Sequence, residues 1–237
     1  MRYVVLALDY DGTLAKDGLV PPEAIAGLKR VIDSGRKLIL VTGRQLGELM
    51  ALFPDIGLFE RVVAENGAVI YHPATRETRV LAERPAESFI DALKARDVSP
   101  LSVGEVIVAS YEPHETAILD TIRNQALELQ VIFNKRSIMV LPSGVNKATG
   151  LAAALQELRL SPRNVVGVGD AENDQAFLNI CGCSAAVGNA LPSLKRQVDW
   201  VLKGSHWRGV LQLTQKLIDD DLSFLDARVT RRQARNP

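Results

Sequence analysis

Short runs of apolar residues recur along the chain and predict a set of buried strands. The runs cover residues 3–8, 37–41, 61–64 and 164–168. They do not alternate with polar residues, which favours parallel strands covered on both faces. Segments with helical spacing lie between some of them: one opens at Pro21-Pro22-Glu23 and ends near Gly35, and others cover 45–52 and 147–158. Alternating strands and helices predict an α/β fold with a parallel sheet.

The middle of the chain has a different pattern, which predicts an inserted small α+β domain. Helical spacing marks residues 87–95 and 115–129, and strand-like runs cover 105–110, 131–133 and 138–141, with room for one more strand near 98–103. We therefore predict a core at 1–81 and 145–226, an inserted domain at 82–144, and a basic tail or linker at 227–237. The tail carries Arg228, Arg231, Arg232 and Arg235 and is expected to be a solvated end.

The composition is that of an ordinary globular protein. Of 237 residues, 47% are hydrophobic and 24% are charged, and the formal net charge is +0. Because no global field draws the chain to nucleic acid or to an anionic membrane, neither is expected as a partner, and the oligomeric state stays open. Cys181 and Cys183 are expected to be buried thiols. The first apolar run stops at Asp9, too early for a signal peptide or a membrane span, so a cytoplasmic location is expected.

Two aspartates stand directly after the first predicted strand. Asp9 and Asp11 are two residues apart, so in extended backbone they leave the chain on the same side, and Gly12 permits a sharp turn after them. Ligands of open parallel sheets bind beyond the carboxyl ends of the strands. Such a pair can bind a hard cation, or one carboxylate can attack phosphorus while the other handles the leaving-group proton. A turn with solvated aspartates is the alternative.

Thr42, Gly43 and Arg44 follow the strand at 37–41. A hydroxyl and backbone N–H groups at that point would hold phosphate oxygens, although Thr-Gly is also a common strand exit. Lys147 lies at the start of a predicted helix, where the helix dipole disfavours a cation. It would neutralise phosphate charge; a surface lysine is the alternative.

An acidic cluster follows the strand at 164–168. Asp170 would complete a Mg²⁺ site, since Mg²⁺ needs few carboxylates in addition to water and phosphate. Asn173 and Asp174 follow within the same turn, where Asp174 would bind the metal through water or fix Lys147. A solvated acidic turn is the alternative interpretation of this segment.

Together these stretches resemble the motifs of the haloacid dehalogenase (HAD) superfamily of phosphatases, over nearly the whole chain. The superfamily's first motif, DxDGT[LV], is complete at residues 9–14, and its fourth, GDxxND, at 169–174. Thr42 fits the second motif and Lys147 the third. Residues 65–68 (ENGA) are similar to a turn of the Cof-like branch, and the insertion lies where that branch has its type-two cap. The branch includes sugar-phosphate, sucrose-phosphate and mannosylphosphoglycerate phosphatases and archaeal phosphoglycolate phosphatases, and the short insertion is closest to the last group.

The resemblance implies a Rossmann-like parallel-sheet core under a small α+β cap, and Mg²⁺-dependent hydrolysis of a small phosphomonoester such as a sugar phosphate or phosphoglycolate. Asp9 would be the nucleophile that becomes phosphorylated, and Asp11 the acid and base. The metal is expected at Asp9, Asp11 through its main-chain carbonyl, Asp170 and Asp174. The phosphoryl group is expected to contact Thr42, Gly43, Lys147 and Asn173, and Arg44 would reach the substrate or lie at the surface. A phosphomutase or phosphotransferase using the same aspartate, or a non-catalytic regulatory domain of a larger protein, are the alternatives. Specificity is expected from cap residues, with Asn134, Lys135 and Arg136 as candidates.

Overall fold

The computed structural model describes residues 1–134, 136–226 and 228–230. The candidate Lys135 lies outside these residues, and so does most of the predicted basic tail, namely 227 and 231–237. Among the tail arginines, Arg228 is described, and its guanidinium donates to the carbonyl of Asp199.

The described residues form two sheets with helices packed on them. In chain order the strands are β1 (Val5–Asp9), β2 (Lys37–Val41), β3 (Arg61–Ala64), β4 (Val69–His72), β5 (Glu77–Val80), β6 (Ser102–Val103), β7 (Val108–Tyr111), β8 (Leu129–Asn134), β9 (Ser137–Pro142), β10 (Val165–Gly169), β11 (Cys183–Ala186) and β12 (Trp200–Val201). The helices are α1 (Pro22–Asp33), α2 (Leu46–Leu52), α3 (Glu87–Lys94), α4 (Glu115–Asn124), α5 (Lys147–Glu157), α6 (Gln175–Ile180), α7 (Pro192–Lys195) and α8 (Trp207–Asp220).

The large sheet has the strand order β12-β11-β10-β1-β2-β3-β4-β5. Strands β12 to β3 run parallel, while β4 and β5 add an antiparallel edge. Every residue of β1 and β10 is buried, as expected for central strands with both faces covered. The predicted α/β fold is confirmed, and the sheet is mixed because the chain turns back at residues 65–67 instead of crossing over.

Helices cover the large sheet through apolar stripes. In α1, Pro22 occupies the first turn, where no backbone N–H partner is needed, and Ala24, Leu28 and Val31 recur at helical spacing and are buried. This helix packs against β2 and α8, and α5 packs against β3 and α6. Cys181 and Cys183 are both buried in this core.

The small sheet has the order β6-β7-β9-β8 and is antiparallel throughout. Its strands lie within residues 82–144, and α3 and α4 pack on it around a second apolar cluster that includes Phe89, Leu93 and Ile118. The hairpin predicted from 131–133 and 138–141 is present as β8 and β9.

Two predicted elements in this region differ from the structure. The strand predicted at 105–110 begins only at Val108, and the helix predicted at 115–129 ends at Asn124, with Leu129 already the first residue of β8. Among the described residues, none of the helices has the length and apolar character needed to cross a membrane.

Candidate active site

The chemical motifs meet at one edge of the large sheet. Asp9 is the last residue of β1, Thr42 follows β2, and Asp170 follows β10. Because β1 lies between β2 and β10 and all three are parallel, their carboxyl ends are adjacent. Helix α5 brings Lys147, its first residue, to the same edge, so the sheet and this helix together account for the meeting of residues far apart in the sequence.

Lys147 is the charged centre of this arrangement. Its Nζ donates to Asp9 Oδ1 and to Asp174 Oδ1, each at 2.6 Å, and its side chain is 1% exposed. Asn146 caps α5 with its side chain, and the two carboxylates offset the unfavourable position of a cation at a helix N-terminus. The surface reading of Lys147 is therefore wrong: it is a buried counter-ion for two carboxylates.

The buried carboxylates make a site suited to a cation. Oxygens of Asp9, Asp170 and Asp174 lie within 4.8 Å of one another, and all three residues are buried. One ammonium against three carboxylates leaves an excess of negative charge, and Asp9 Oδ2 has no hydrogen-bond partner among the described residues. A buried carboxylate oxygen without a donor is costly unless a cation binds it, so the donor set fits a divalent metal.

The same environment sets the protonation of Asp9 and Lys147. Burial raises the pKa of Asp9 well above its ordinary range, Asp174 raises it further, and Lys147 opposes both. Burial lowers the pKa of Lys147, but Asp174 and Asp9 outweigh it, so the net shift is upward and the ammonium stays charged. A cation added at this site would therefore favour the ionised form of Asp9 over the protonated form.

Asp170 and Asp174 are held by their surroundings. Thr13 Oγ1 donates to Asp170 Oδ1 at 3.2 Å, while the backbone N–H groups of Asp170 and Ala171 donate to Asp174 Oδ2 at 2.8 and 3.0 Å. Gly12 has φ +88°, and a Cβ there would lie 2.4 Å from the Asp170 carboxylate, so only glycine fits. Asp174 thus fixes both the turn and Lys147, the second of the two roles predicted for it.

Asp11 lies above this cluster and is paired with Arg44. Its carboxylate accepts two hydrogen bonds from the guanidinium, and its side chain is 38% exposed. The hydrogen bonds that Arg44 donates to Asp11 raise the pKa of Arg44. The Asp11 side chain is not part of the carboxylate cluster, so its predicted metal contact rests on its main-chain carbonyl and stays a prediction.

The remaining residues that were predicted to contact phosphate are Thr42, Gly43 and Asn173. The hydroxyl of Thr42 accepts from the backbone N–H of Arg44 at 3.1 Å, and Thr42 is buried. The side chain of Asn173 donates to Asn66 Oδ1 at 3.2 Å beside Gly43, and both Asn66 Nδ2 and Asn173 Oδ1 are buried without a partner among the described residues. Their phosphate contacts stay predictions.

A cavity of about 280 Å³ opens over the cluster between the two sheets. Its core side is lined by Asp9, Asp11, Gly43 and Arg44, and its opposite side by side chains of the small sheet and its loops: Pro100, Ser102, Ile107, Ala109, Ser110, Tyr111, Asn134, Ser137 and Met139. Of the predicted hairpin candidates, Asn134 faces the cavity, whereas Arg136 is 79% exposed and lies near Glu112.

Several residues at the site carried no predicted role. Thr13, Gln45, Glu48 and Asn66 touch the cluster or the cavity. The signal for Asn66 is its place in the ENGA turn, where it is only 1% exposed between two apolar strands. An asparagine buried in a turn with φ +56° is held there by a specific contact.

The chain was compared with known proteins. The family profile described as haloacid dehalogenase-like hydrolase matches residues 6–134 and 105–213. A phosphoglycolate phosphatase of Methanothermobacter thermautotrophicus is 31% identical over 221 residues, which cover 90% of this chain and 98% of the relative. A haloacid dehalogenase-like hydrolase from Bacteroides thetaiotaomicron has a TM-score of 0.78 at 18% identity, covering 91% of this chain and 99% of the other. A structure described as a HAD subclass IIB sugar phosphatase has a TM-score of 0.73 at 18% identity, covering 90% and 98%.

The fold and the strand-end carboxylates define a hydrolase site of the phosphoryl-transfer type. The chain belongs to the haloacid dehalogenase-like hydrolase family. The predicted Cof-like branch and the predicted phosphatase class are confirmed.

Proposed function

We propose that the protein hydrolyses a small phosphomonoester through an aspartyl-phosphate at Asp9. One observation supports this most directly: Asp9 faces the cavity with one oxygen held by Lys147 and the other without a donor. A carboxylate fixed in orientation but not fully hydrogen-bonded is suited to in-line attack on phosphorus.

Two steps complete the reaction. An Asp9 oxygen bonds to phosphorus while the bond to the leaving oxygen breaks, and the Asp11 carboxyl gives its proton to the departing alkoxide. Asp11 then takes a proton from water as the water oxygen attacks phosphorus, which releases inorganic phosphate and restores Asp9. Lys147, Thr42, Gly43 and Asn173 would stabilise charge on the transferring group, and Arg44 would hold Asp11 by one oxygen while the other carries the proton.

We propose Mg²⁺ as the cofactor, held by Asp9, Asp170 and the Asp11 main-chain carbonyl, with Asp174 as support. When bound, the ion would reduce repulsion between the Asp9 carboxylate and an anionic phosphate. The negative charge excess and the unbonded Asp9 oxygen support a divalent cation.

The substrate is proposed to be small. The cavity of about 280 Å³ is slightly smaller than the ~300–1,000 Å³ of pockets for drug-sized ligands. We propose phosphoglycolate as the first candidate, because a relative 31% identical over most of both chains is named for that activity. Ser102, Asn134 and Ser137 line the cavity and would also suit the hydroxyls of a sugar phosphate. The small sheet with α3 and α4, residues 82–144, is proposed to be the cap, and a cytoplasmic location remains part of the proposal.

The test is a screen of phosphorylated metabolites with Mg²⁺, measuring released inorganic phosphate. It compares phosphoglycolate, sugar phosphates and phosphoglycerate derivatives, with the Asp9→Asn protein as the matched control. Release that stops in a chelator and in the control supports the proposal. Transfer of phosphate to a sugar hydroxyl without release would instead identify a phosphotransferase, and no turnover of any substrate would favour a regulatory domain.

A further inference from the structure

A buried carboxylate of the large-sheet core holds a loop of the small sheet. Glu65, directly after β3, is 1% exposed. Its Oε1 accepts from the backbone N–H of Glu105 at 3.0 Å, and its Oε2 from the N–H groups of Val106 and Ile107 at 2.8 and 2.9 Å. Hydrogen bonds to a carboxylate are about twice as strong as neutral ones, so the three N–H groups and the charge form a firm contact.

The loop is shaped for this contact. Residues 104–107 join β6 to β7, and a Cβ at Gly104 would lie 2.5 Å from Glu65 Oε1. The Gly104 position therefore excludes any side chain as long as the carboxylate is in place. Because the N–H groups of residues 105–107 bind Glu65, they are not available to the sheet, and β7 begins only at Val108.

The backbone at Glu65 and Asn66 is also hydrogen-bonded to the loop that carries Thr42 and Arg44. Its N–H donates to the Arg44 carbonyl at 2.9 Å, and the N–H of Asn66 donates to the Thr42 carbonyl at 2.9 Å. Arg44 in turn binds the Asp11 carboxylate. A short series of direct bonds thus runs from the loop of the small sheet, through Glu65, to the loop that carries Thr42 and Arg44.

The loop lines the side of the cavity that lies opposite Asp9, which we call the roof. Ile107 and Ser102, at the two ends of the loop region, line the cavity that contains Asp9. Gln45 Nε2 donates to Ser102 Oγ at 2.7 Å, which adds a second contact between the two sides. A shift of the loop would therefore change the space left for the leaving group more than the surroundings of Asp9.

We propose that Glu65 is a positioning residue that sets the small sheet over Asp9 and thereby selects the leaving group. The inference rests on the proposed phosphatase function. Its alternative is that Glu65 only satisfies backbone N–H groups of a buried loop, in which case its loss would lower stability without changing selectivity among substrates.

The test compares Glu65→Gln with the intact protein on two substrates. One is the best phosphomonoester of the metabolite screen, and the other is acetyl phosphate, whose acetyl group has no hydroxyl or carboxylate for the roof to bind. Glutamine keeps the size of the side chain but replaces one acceptor oxygen with a donor and removes the charge. The matched control is Glu105→Gln, which changes an exposed carboxylate and leaves the backbone N–H at 105 in place.

We expect Glu65→Gln to lower kcat/KM for the phosphomonoester by about tenfold or more, chiefly through KM, as the loss of charge-assisted hydrogen bonds predicts. Turnover of acetyl phosphate should stay close to that of the intact protein, and Glu105→Gln should match the intact protein on both. Amide hydrogen exchange at residues 105–107 should rise in Glu65→Gln and stay unchanged in Glu105→Gln.

Gly104→Ala provides a second variant in case Glu65→Gln does not fold. It keeps the carboxylate but pushes the loop away, so the same shift in selectivity is expected. Equal losses on both substrates, or no loss on either, would overturn the proposal, as would unchanged exchange at 105–107. Failure of the intact protein to release phosphate from every compound of the screen and from acetyl phosphate with Mg²⁺ would count against the phosphatase proposal itself, which separates the two outcomes.

Discussion

The guanidinium of Arg44 holds both carboxylate oxygens of Asp11, with Nε 2.6 Å from Oδ2 and Nη2 2.7 Å from Oδ1. A two-point contact of this kind fixes the plane of the carboxylate as well as its position. Asp11 is the proposed acid and base, so Arg44 acts on the proton transfer through the orientation of its partner.

Replacing Arg44 tests this relationship. Arg44→Ala should lower kcat by roughly 10- to 100-fold, the range expected when a catalytic group is misplaced by about an ångström. Arg44→Lys should recover only part of the loss, because an ammonium cannot make the two-point contact. Steady-state phosphate release measures both, and Arg30→Ala, at the surface of α1, is the control. Full activity in Arg44→Ala would show that Asp11 is oriented without it.

Asp9→Asn should abolish turnover while leaving the fold intact. Because burial and Asp174 disfavour a charged Asp9, a neutral side chain of the same shape should not destabilise the metal-free protein. Phosphate release and thermal unfolding in chelator check the two parts. Asp33→Asn, at the end of α1 and exposed, is the matched control. Substantial activity in Asp9→Asn would rule out the covalent mechanism.

Lys147→Met should destabilise the metal-free protein. Removing the ammonium leaves the Asp9 and Asp174 carboxylates facing each other in a buried site, and loss of one partner of a buried pair typically costs about 3–5 kcal/mol. Mg²⁺ should restore part of this, because a ligand that binds only the folded state stabilises it. Urea unfolding with and without Mg²⁺ measures the effect. Lys37→Met, whose ion pair with Glu60 is half-exposed, should lose about 1 kcal/mol or less; equal losses for both lysines would contradict the assignment.

Glu157 should make stability depend on pH. Burial raises its pKa, but hydrogen bonds from Arg61 and Arg79 and the proximity of His72 outweigh that effect, so the net pKa lies below the ordinary value of 4.5. The contribution of Glu157 is therefore complete above pH 4.5 and is lost as the pH falls through the lowered pKa. Glu157→Gln should cost about 1–2 kcal/mol at pH 7.

That cost should shrink as the pH falls below 4.5, in urea titrations run at a series of pH values. Glu87→Gln, an exposed carboxylate of α3, is the control and should change stability little at any pH. A cost for Glu157→Gln that stays constant down to strongly acidic pH would contradict the assigned network.

The central strands and their end residues are predictable because their signals are local. β2 and β3 have their predicted bounds, since each is a continuous apolar run that ends in a turn. Asp9, Thr42 and Asp170 follow from the same logic, because parallel strands bring their carboxyl ends to one edge. The motif spacing then indicates the chemistry before any distance is known.

Contacts between distant residues explain what the sequence does not predict. Residues 105–107 have strand-like composition, yet their N–H groups bind Glu65, about forty positions earlier, and no local signal marks that contact. The predicted helix at 115–129 ends early because Ala126 has φ +50° and turns the chain into β8, while Leu127 and Leu129 continue the helical spacing. The Arg44–Asp11 pair joins residues 33 positions apart and is visible only in the fold.

The chain leaves the large sheet and rejoins it at neighbouring points. The N–H of Leu81 donates to the carbonyl of Ala68 at 2.8 Å, and the carbonyl of Asn146 packs directly on Gly67. A segment attached at two adjacent positions can be exchanged with little strain on the remainder, as for inserted domains in general. With residues 82–144 as the proposed cap, we expect a different segment grafted between these points, with N–H donors for Glu65, to change which molecules reach Asp9 and to leave the carboxylate neighbours of Asp9 in place. A fixed reaction centre would then be combined with a replaceable selector.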